Sequence, residues 1–236
     1  MRYFNLFPLL FLVAFDSNGQ KLSLGVFAEY NLLHVYTRTQ ISTKYLIFNS
    51  QSSFDGFRIG ANGQWNLSKG YWSFEAGYFQ NQSSFTFVNL TPDEDPQLAP
   101  VWFSLENIYS NRRIDINFNR GITLYRKKIY AELGILGCYW MKDELAGEPD
   151  AYFEASESLR RTKILFRFAD SYKDLSASLR VKLSYTFGPL IIYVHSEKSI
   201  TPISEQLEYN GVNYLSNQKY MTYSIGVKYL VLNRAQ

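Results

Sequence analysis

The chain has a single cysteine, Cys138, and only two histidines, and it has no apolar run long enough to span a membrane as a helix. One cysteine cannot close an internal disulfide, which excludes a disulfide-stapled secreted domain. That cysteine with His34 and His195, far apart in sequence, does not make a zinc ligand set. A spanning helix needs about 20 consecutive apolar residues, and no stretch approaches that. Charge of one sign is scarce as well. The 24 Lys and Arg against 21 Asp and Glu leave a formal charge of +3, with no basic block of the kind that holds nucleic acid. No glycine-rich loop follows a strand and opens a helix, so a nucleotide cofactor has no support. Nothing in the pattern calls for any other cofactor.

What the chain has is aromatic side chains and alternation. Aromatic residues are 17% of the chain, with 19 Tyr and 18 Phe. That is rich for a soluble domain and suits a surface that meets lipid and headgroups. The N-terminus reads as a secretory signal over residues 1–19. Arg2 gives a positive start, 6–15 is an apolar run, and Ser17-Asn18-Gly19 is a small-x-small cleavage site before Gln20. No cysteine stands directly after the apolar run, which argues against a lipoprotein. The mature segment is then 20–236.

Two alternating runs fill residues 112–141, joined by Tyr125-Arg126-Lys127-Lys128. In the first, Ile114, Ile116, Phe118, Ile122 and Leu124 share a face opposite Asp115, Asn117, Asn119, Gly121 and Thr123. In the second, Ile129, Ala131, Leu133, Ile135, Tyr139 and Met141 oppose Tyr130, Glu132, Gly134, Cys138 and Trp140. Successive side chains of a strand point to opposite faces, so each run reads as a strand with one apolar and one more polar face. Both exceed the usual strand of about 5–6 residues and match the roughly 9–11 that a tilted strand needs to cross a bilayer.

The same pattern recurs at 22–32, 57–67, 71–81, 176–187, 190–197 and 220–231, giving eight strands. Ser68-Lys69-Gly70 and Gly188-Pro189 are further tight turns. Connections alternate long and short, placing three tight turns at one end and four long loops at the other. The expected fold is therefore all-β: an eight-stranded antiparallel up-and-down transmembrane β-barrel with long external loops and short periplasmic turns, in the outer membrane. Arg120 falls on the apolar phase, where either snorkelling or a β-bulge would relieve it.

A soluble lipocalin-type barrel shares the alternation, and three features favour the membrane barrel. The polar face carries Glu29, Arg58, Glu75, Asp115, Glu132, Arg180, Lys182 and Lys228, a balanced set that a closed lumen requires, because buried charges must be paired. The same face collects Gly25, Gly60, Gly77, Gly121, Gly134 and Gly226, which make room inside a narrow barrel. Trp65, Tyr71, Trp72, Tyr125, Tyr185, Phe187 and Tyr229 gather near the short-turn end, as an interfacial girdle would. The eight charges are expected to form a structural network filling the lumen.

Two stretches, GFRIGANGQWNLSKGYWSFEAGYFQN (56–81) and RRIDINFNRGITLYRKKIYAELGILGCYWM (112–141), resemble the small outer-membrane β-barrel proteins of Bacteroidota, the PorT-like and OmpX-like barrels. The resemblance implies a barrel and no activity, and carries over no functional residue. The chain departs from the common pattern in having Asp115-Ile116-Asn117 where Glu-Ile-Pro is usual, and in ending Asn233-Arg234-Ala235-Gln236 without a terminal aromatic.

Candidate chemistry is thin. His195 lies beside Ser196 and two residues from Glu197, the residue types of a lipid A-modifying enzyme, but its phase points it at the lumen. Asp93, Glu94 and Asp95 between two prolines offer oxygen ligands of the kind Ca²⁺ takes, though such a tip also serves as a plain solvated turn. Residues 142–175 place Asp143, Glu144, Glu148, Asp150, Glu154 and Glu157 ahead of Arg160, Arg161, Lys163 and Arg167. That block pair is either a recognition surface or two mutually attracting arms of a hairpin. The expectation is a non-enzymatic structural or partner-binding barrel, in contact with outer-membrane lipid or lipopolysaccharide and with other membrane or secretion proteins through its loops. A lipid-modifying enzyme and a narrow pore are the alternatives.

Overall fold

The computed structural model describes residues 21–36, 38–41, 45–49, 54–67, 69–89, 107–126, 128–141, 171–209 and 212–233. The expected signal segment, the tip carrying Asp93, Glu94 and Asp95, and the acidic and basic blocks between 142 and 170 lie outside the described residues. In chain order the strands are β1 (Lys21–Tyr36), β2 (Arg38–Ile41), β3 (Tyr45–Asn49), β4 (Phe54–Leu67), β5 (Gly70–Asn89), β6 (Asn107–Tyr125), β7 (Ile129–Met141), β8 (Leu175–Phe187), β9 (Leu190–Ser199), β10 (Ser204–Tyr209) and β11 (Val212–Asn233).

Eight of these, β1, β4, β5, β6, β7, β8, β9 and β11, form a closed antiparallel up-and-down barrel. Closure is made by the first and last strands, which pair from Ser23↔Asn233 to Tyr36↔Lys219. A closed ring leaves no unpaired edge, which is the condition for placing strands in lipid. Neighbouring strands turn tightly at one end, where Leu67 pairs with Gly70, Tyr125 with Ile129 and Phe187 with Leu190. Lys21 and Asn233 lie at that end as well. Gly188 takes a φ of 60° in its turn, a left-handed conformation that glycine adopts without a Cβ penalty.

The strands run further than bilayer length at the opposite end. β5 continues to Asn89 and pairs there with β3 (Tyr45↔Asn89), which in turn pairs with β2. β11 begins at Val212 and pairs its early part with β10 (Tyr209↔Val212). The segments expected to be loops at 33–56 and 198–219 are thus largely sheet. The ladder carries on past the lipid even where alternation gives way to mixed polar residues, and breaks at 200–203 around Pro202.

Alternation holds through the membrane-length part. From Glu132 onward β7 reads buried, exposed, buried, exposed to its end, and β8 does the same over most of its length. The exposed set is apolar: Ile135 is 62% exposed, Leu133 59% and Val181 59%. The buried set holds the charged side chains, with Leu136, Cys138 and Trp140 at the loop end of β7. A soluble barrel would have these reversed, so the wall is built to face lipid. Arg120 keeps its place on that wall, paired with Trp72 and Leu133 in unbroken register. There is no bulge at Arg120; its guanidinium lies over the Trp72 ring at 5.0 Å, so a cation–π contact covers the charge. Trp72 in turn stacks on Phe118 at 5.0 Å. Tyr71 corrects the expected girdle. Its residue phase is inward, it is buried, and its ring packs edge-on to Tyr130 at 5.2 Å.

Candidate functional site

The lumen gathers the chemistry of this chain. All eight expected charges are buried inside the barrel, each brought there by the inward phase of its strand. Glu75 on β5 is the hub. Its Oε1 receives Lys182 Nζ at 2.6 Å and Lys228 Nζ at 3.0 Å, while its Oε2 receives Arg180 Nη1 at 3.2 Å and lies 3.6 Å from Arg58 Nη1. Asn117 donates to the same Oε2. Arg58 links the hub to the rest: its Nη1 donates to Glu29 at 2.9 Å, and its Nε donates to Asp115 at 2.8 Å. Phe27 backs that guanidinium at 4.4 Å. Glu132 sits towards the tight-turn end, 3.5 Å from Lys182 Nζ and accepting from Ser184.

Two members of the network were not among the expected charges. Glu197 accepts from Arg113, Arg180, Ser178 and Tyr220, at 3.0, 3.0, 3.0 and 2.6 Å. Arg113 stands in an aromatic cage, with Phe79, Tyr220 and Trp140 ring centroids at 4.1, 5.0 and 5.2 Å. Both were open to parity counting, since Arg113 shares the phase of Asp115 and Glu197 that of His195. They lie at the loop ends of the expected strands at 112–141 and 190–197. Adding one base and one acid keeps the set balanced, as burial demands.

The charged layer is bounded by apolar side chains. At the loop end Leu33, Val35, Phe79, Leu136, Cys138, Trp140, Ile203, Leu207 and Tyr220 form one buried cluster. Towards the turns Ile191, Tyr193 and Leu230 form another. Glycine makes this filling possible. A Cβ on Gly226 would come within 2.6 Å of the Tyr193 ring and 2.8 Å of Glu29 Cγ, and one on Gly121 within 2.6 Å of the Tyr71 ring. An eight-stranded ring has room for side chains and little else.

The residues that had suggested catalysis are parted by the wall. His195 faces the lumen, its Nε2 3.8 Å from Glu29 Oε2 and its ring parallel to Tyr193. Ser196 is on the outer face, between Val181 and Tyr223 in register. His34 is also on the outer face, edge-on to Tyr223 at 6.1 Å. A triad needs its members within hydrogen-bond reach of one another, and the wall separates His195 and Glu197 from Ser196. Among the described residues no group of three or more His, Cys, Asp or Glu is placed to hold a metal.

No protein-family model matches the chain, and no curated protein sequence matches it. Among solved structures it is similar to outer membrane protein AlkL in lipid bilayers, with 10% identity over 94% of this chain and 95% of that one and a TM-score of 0.39. It is also similar to Ail, the attachment invasion locus protein of Yersinia pestis, with 11% identity over 89% and 98% and a TM-score of 0.37. A third is the translocator domain of the autotransporter NalP from Neisseria meningitidis, with 8% identity over 95% and 94% and a TM-score of 0.28.

Proposed function

We propose that this chain is a non-enzymatic outer-membrane barrel whose lumen is a structural plug and whose work is done at its wall and loop-end surface, as a structural or partner-binding component. The observation that carries this reading is the filled lumen, with balanced charge around Glu75, an apolar cluster on its loop side and a mostly polar filling towards the turns. A conduction path needs water and mobile ions, and the cations here are held at hydrogen-bond distance by buried carboxylates. The placement of Ser196 outside and His195 inside supports the non-enzymatic part. The resemblance of 56–81 and 112–141 to PorT-like barrels supports the finer reading that the partners belong to a secretion or surface assembly, met through the long connections, with lipopolysaccharide around the wall.

The test has separate arms for place and role. Cysteines placed at Glu94 and Glu148 should react with an impermeant maleimide on intact cells, and one at Lys69 should not; labelling at Lys69 alone would invert the topology. Purified protein in planar bilayers should give no steady conductance, and an ohmic channel would replace the plug with a pore. An altered lipid A mass that depends on His195 would make the protein an enzyme. Secretion components co-purifying in mild detergent would support the assembly role, and their absence would remove it.

A further inference from the structure

The lipid-facing wall is not uniformly convex. A groove of about 610 Å³ runs across β1, β11, β9, β8 and β7, along the row of paired residues Tyr30–Ile225–Val194–Leu183–Ala131. That volume is within the roughly 300–1,000 Å³ of ordinary ligand clefts. Ala131 and Ser196 are its small outward-facing residues, set among Tyr30, Leu32, Leu183, Val194, Tyr223 and Ile225. The groove slants. Tyr30 is in the loop-end half of β1, whereas Ala131 is two residues from the tight turn that opens β7. A row perpendicular to strands tilted by about 35–45° crosses the membrane obliquely, so the groove passes from the loop-end half of the wall into the turn-end half.

The loop-end margin of this groove is basic. Lys198 is two residues above Ser196 on β9, and His34 is two residues above Leu32 on β1; both pair with Met221 of β11. Lys219 is two residues further along β11, pairing with Tyr36. Lys198 and Lys219 are exposed, and diagonal neighbours on adjacent strands, about 7–8 Å apart, are within reach of long side chains. Among the described residues neither lysine has a carboxylate partner. On the outer face of β4, Asp55 opposite Leu32 is engaged by the Tyr30 hydroxyl. Apolar length below and exposed positive charge above match one kind of occupant.

We propose that the groove holds an acyl chain of a phosphorylated membrane lipid, with its phosphate bound by Lys198, Lys219 and His34. The proposal rests on the membrane reading above and gives that reading a specific lipid site. Membrane proteins hold anionic lipid headgroups with basic side chains at the interface, and the three residues stand on adjacent strands at the same margin. A zwitterionic lipid with the same chains would fit the groove but would gain less from the lysines.

The test uses the full mature chain folded into nanodiscs of equimolar dimyristoylphosphatidylglycerol and dimyristoylphosphatidylcholine, with bound lipids counted by native mass spectrometry. Wild type should release with phosphatidylglycerol in preference to phosphatidylcholine. Lys198→Ala with Lys219→Ala should reduce that preference by about fivefold per lysine. Ser196→Phe should lower retention of both lipids, and Lys69→Ala, at the turn end, should change neither. Folding of each variant is checked by its heat-modifiable gel band. A double lysine variant with wild-type preference, or a Ser196→Phe variant with wild-type retention, overturns the proposal. So does a dimer mass lost in Ser196→Phe, which would assign the groove to a second copy. A wild-type chain that does not fold into the bilayer overturns the membrane reading itself, a failure distinct from loss of lipid selectivity.

Discussion

Around Glu75, four cations converge on one carboxylate, whereas a few residues nearer the loops Leu136, Trp140, Phe79 and Leu33 pack with hardly a charge among them. Both layers fill the same ring and both exclude solvent, but they depend on different physics. In the charged layer each group is held by its partners, so removing one strands the others in a medium that penalises bare charge. In the apolar layer the penalty for a lost side chain is a transfer term plus the cavity it leaves. Arg113 joins the two, its charge answered by Glu197 and its flat face covered by three aromatic rings.

The contrast predicts a ranking of substitutions, read as unfolding in urea from detergent micelles or as loss of the folded band on unboiled gels. Glu75→Gln should be the most damaging, at about 3–5 kcal/mol, because Lys182, Lys228 and Arg180 lose a shared carboxylate. A variant within error of wild type would mean that water reaches the centre of the lumen. Leu136→Ala should follow at about 2–5 kcal/mol. Its neighbour Ile135 faces lipid, so Ile135→Ala should cost less: its transfer term, about 0.8 kcal/mol per methylene, remains, while lipid tails fill the gap. Equal losses at the two positions would erase the distinction between core and wall. Gly226→Ala pushes a methyl against the Tyr193 ring and Glu29 and should cost about 1–3 kcal/mol by overpacking; a neutral result would show that Tyr193 has somewhere to turn. Glu132→Ala should be the mildest, about 1–2 kcal/mol, since Lys182 keeps Glu75 and the loss is the acceptor that Ser184 and Tyr71 share. A collapse comparable to that of Glu75→Gln would make Glu132 a second hub.

Parity carried the sequence reading a long way, and it failed where composition stopped reporting it. Ile114, Ile116 and Phe118 against Asp115, Asn117 and Asn119 show the wall and the lumen outright, because lipid on one side and a dry interior on the other leave little freedom. The eight charges that alternation assigned to the lumen lie there in the structure. Inside the ring the constraint is looser, because apolar side chains and paired charges can both fill it. The inward face turns apolar at Leu136, Cys138 and Trp140, so the change from charged to greasy filling has no signature in alternation. Tyr71 was placed in the girdle by its chemistry and its nearness to a turn, when its phase with Ser73 and Glu75 already pointed inward. The β10–β11 hairpin is missed by the reading of 198–219 as a loop, although its turn signal is in the sequence. Asn210-Gly211 is a strong two-residue turn signal, and the strands pair on either side of it, Tyr209 to Val212. Which residues of the wall meet a particular lipid is invisible in the string of letters, because the groove arises from side chains on five strands.

The ring closes between its first strand and its last, and the network depends on that closure: Glu29 stands on β1 and Lys228 on β11, with Gly226 directly opposite Glu29. The chain must therefore be complete before the lumen is neutral. A partial sheet of earlier hairpins would present Arg58, Glu75 and Arg180 to lipid without their full set of partners, which disfavours stepwise insertion. Such a chain gains little from its local contacts until the most distant pair in sequence has met, the circumstance that makes folding slow and all-or-none. In the cell, that places the burden on whatever keeps the unclosed chain from aggregating while its two ends find each other.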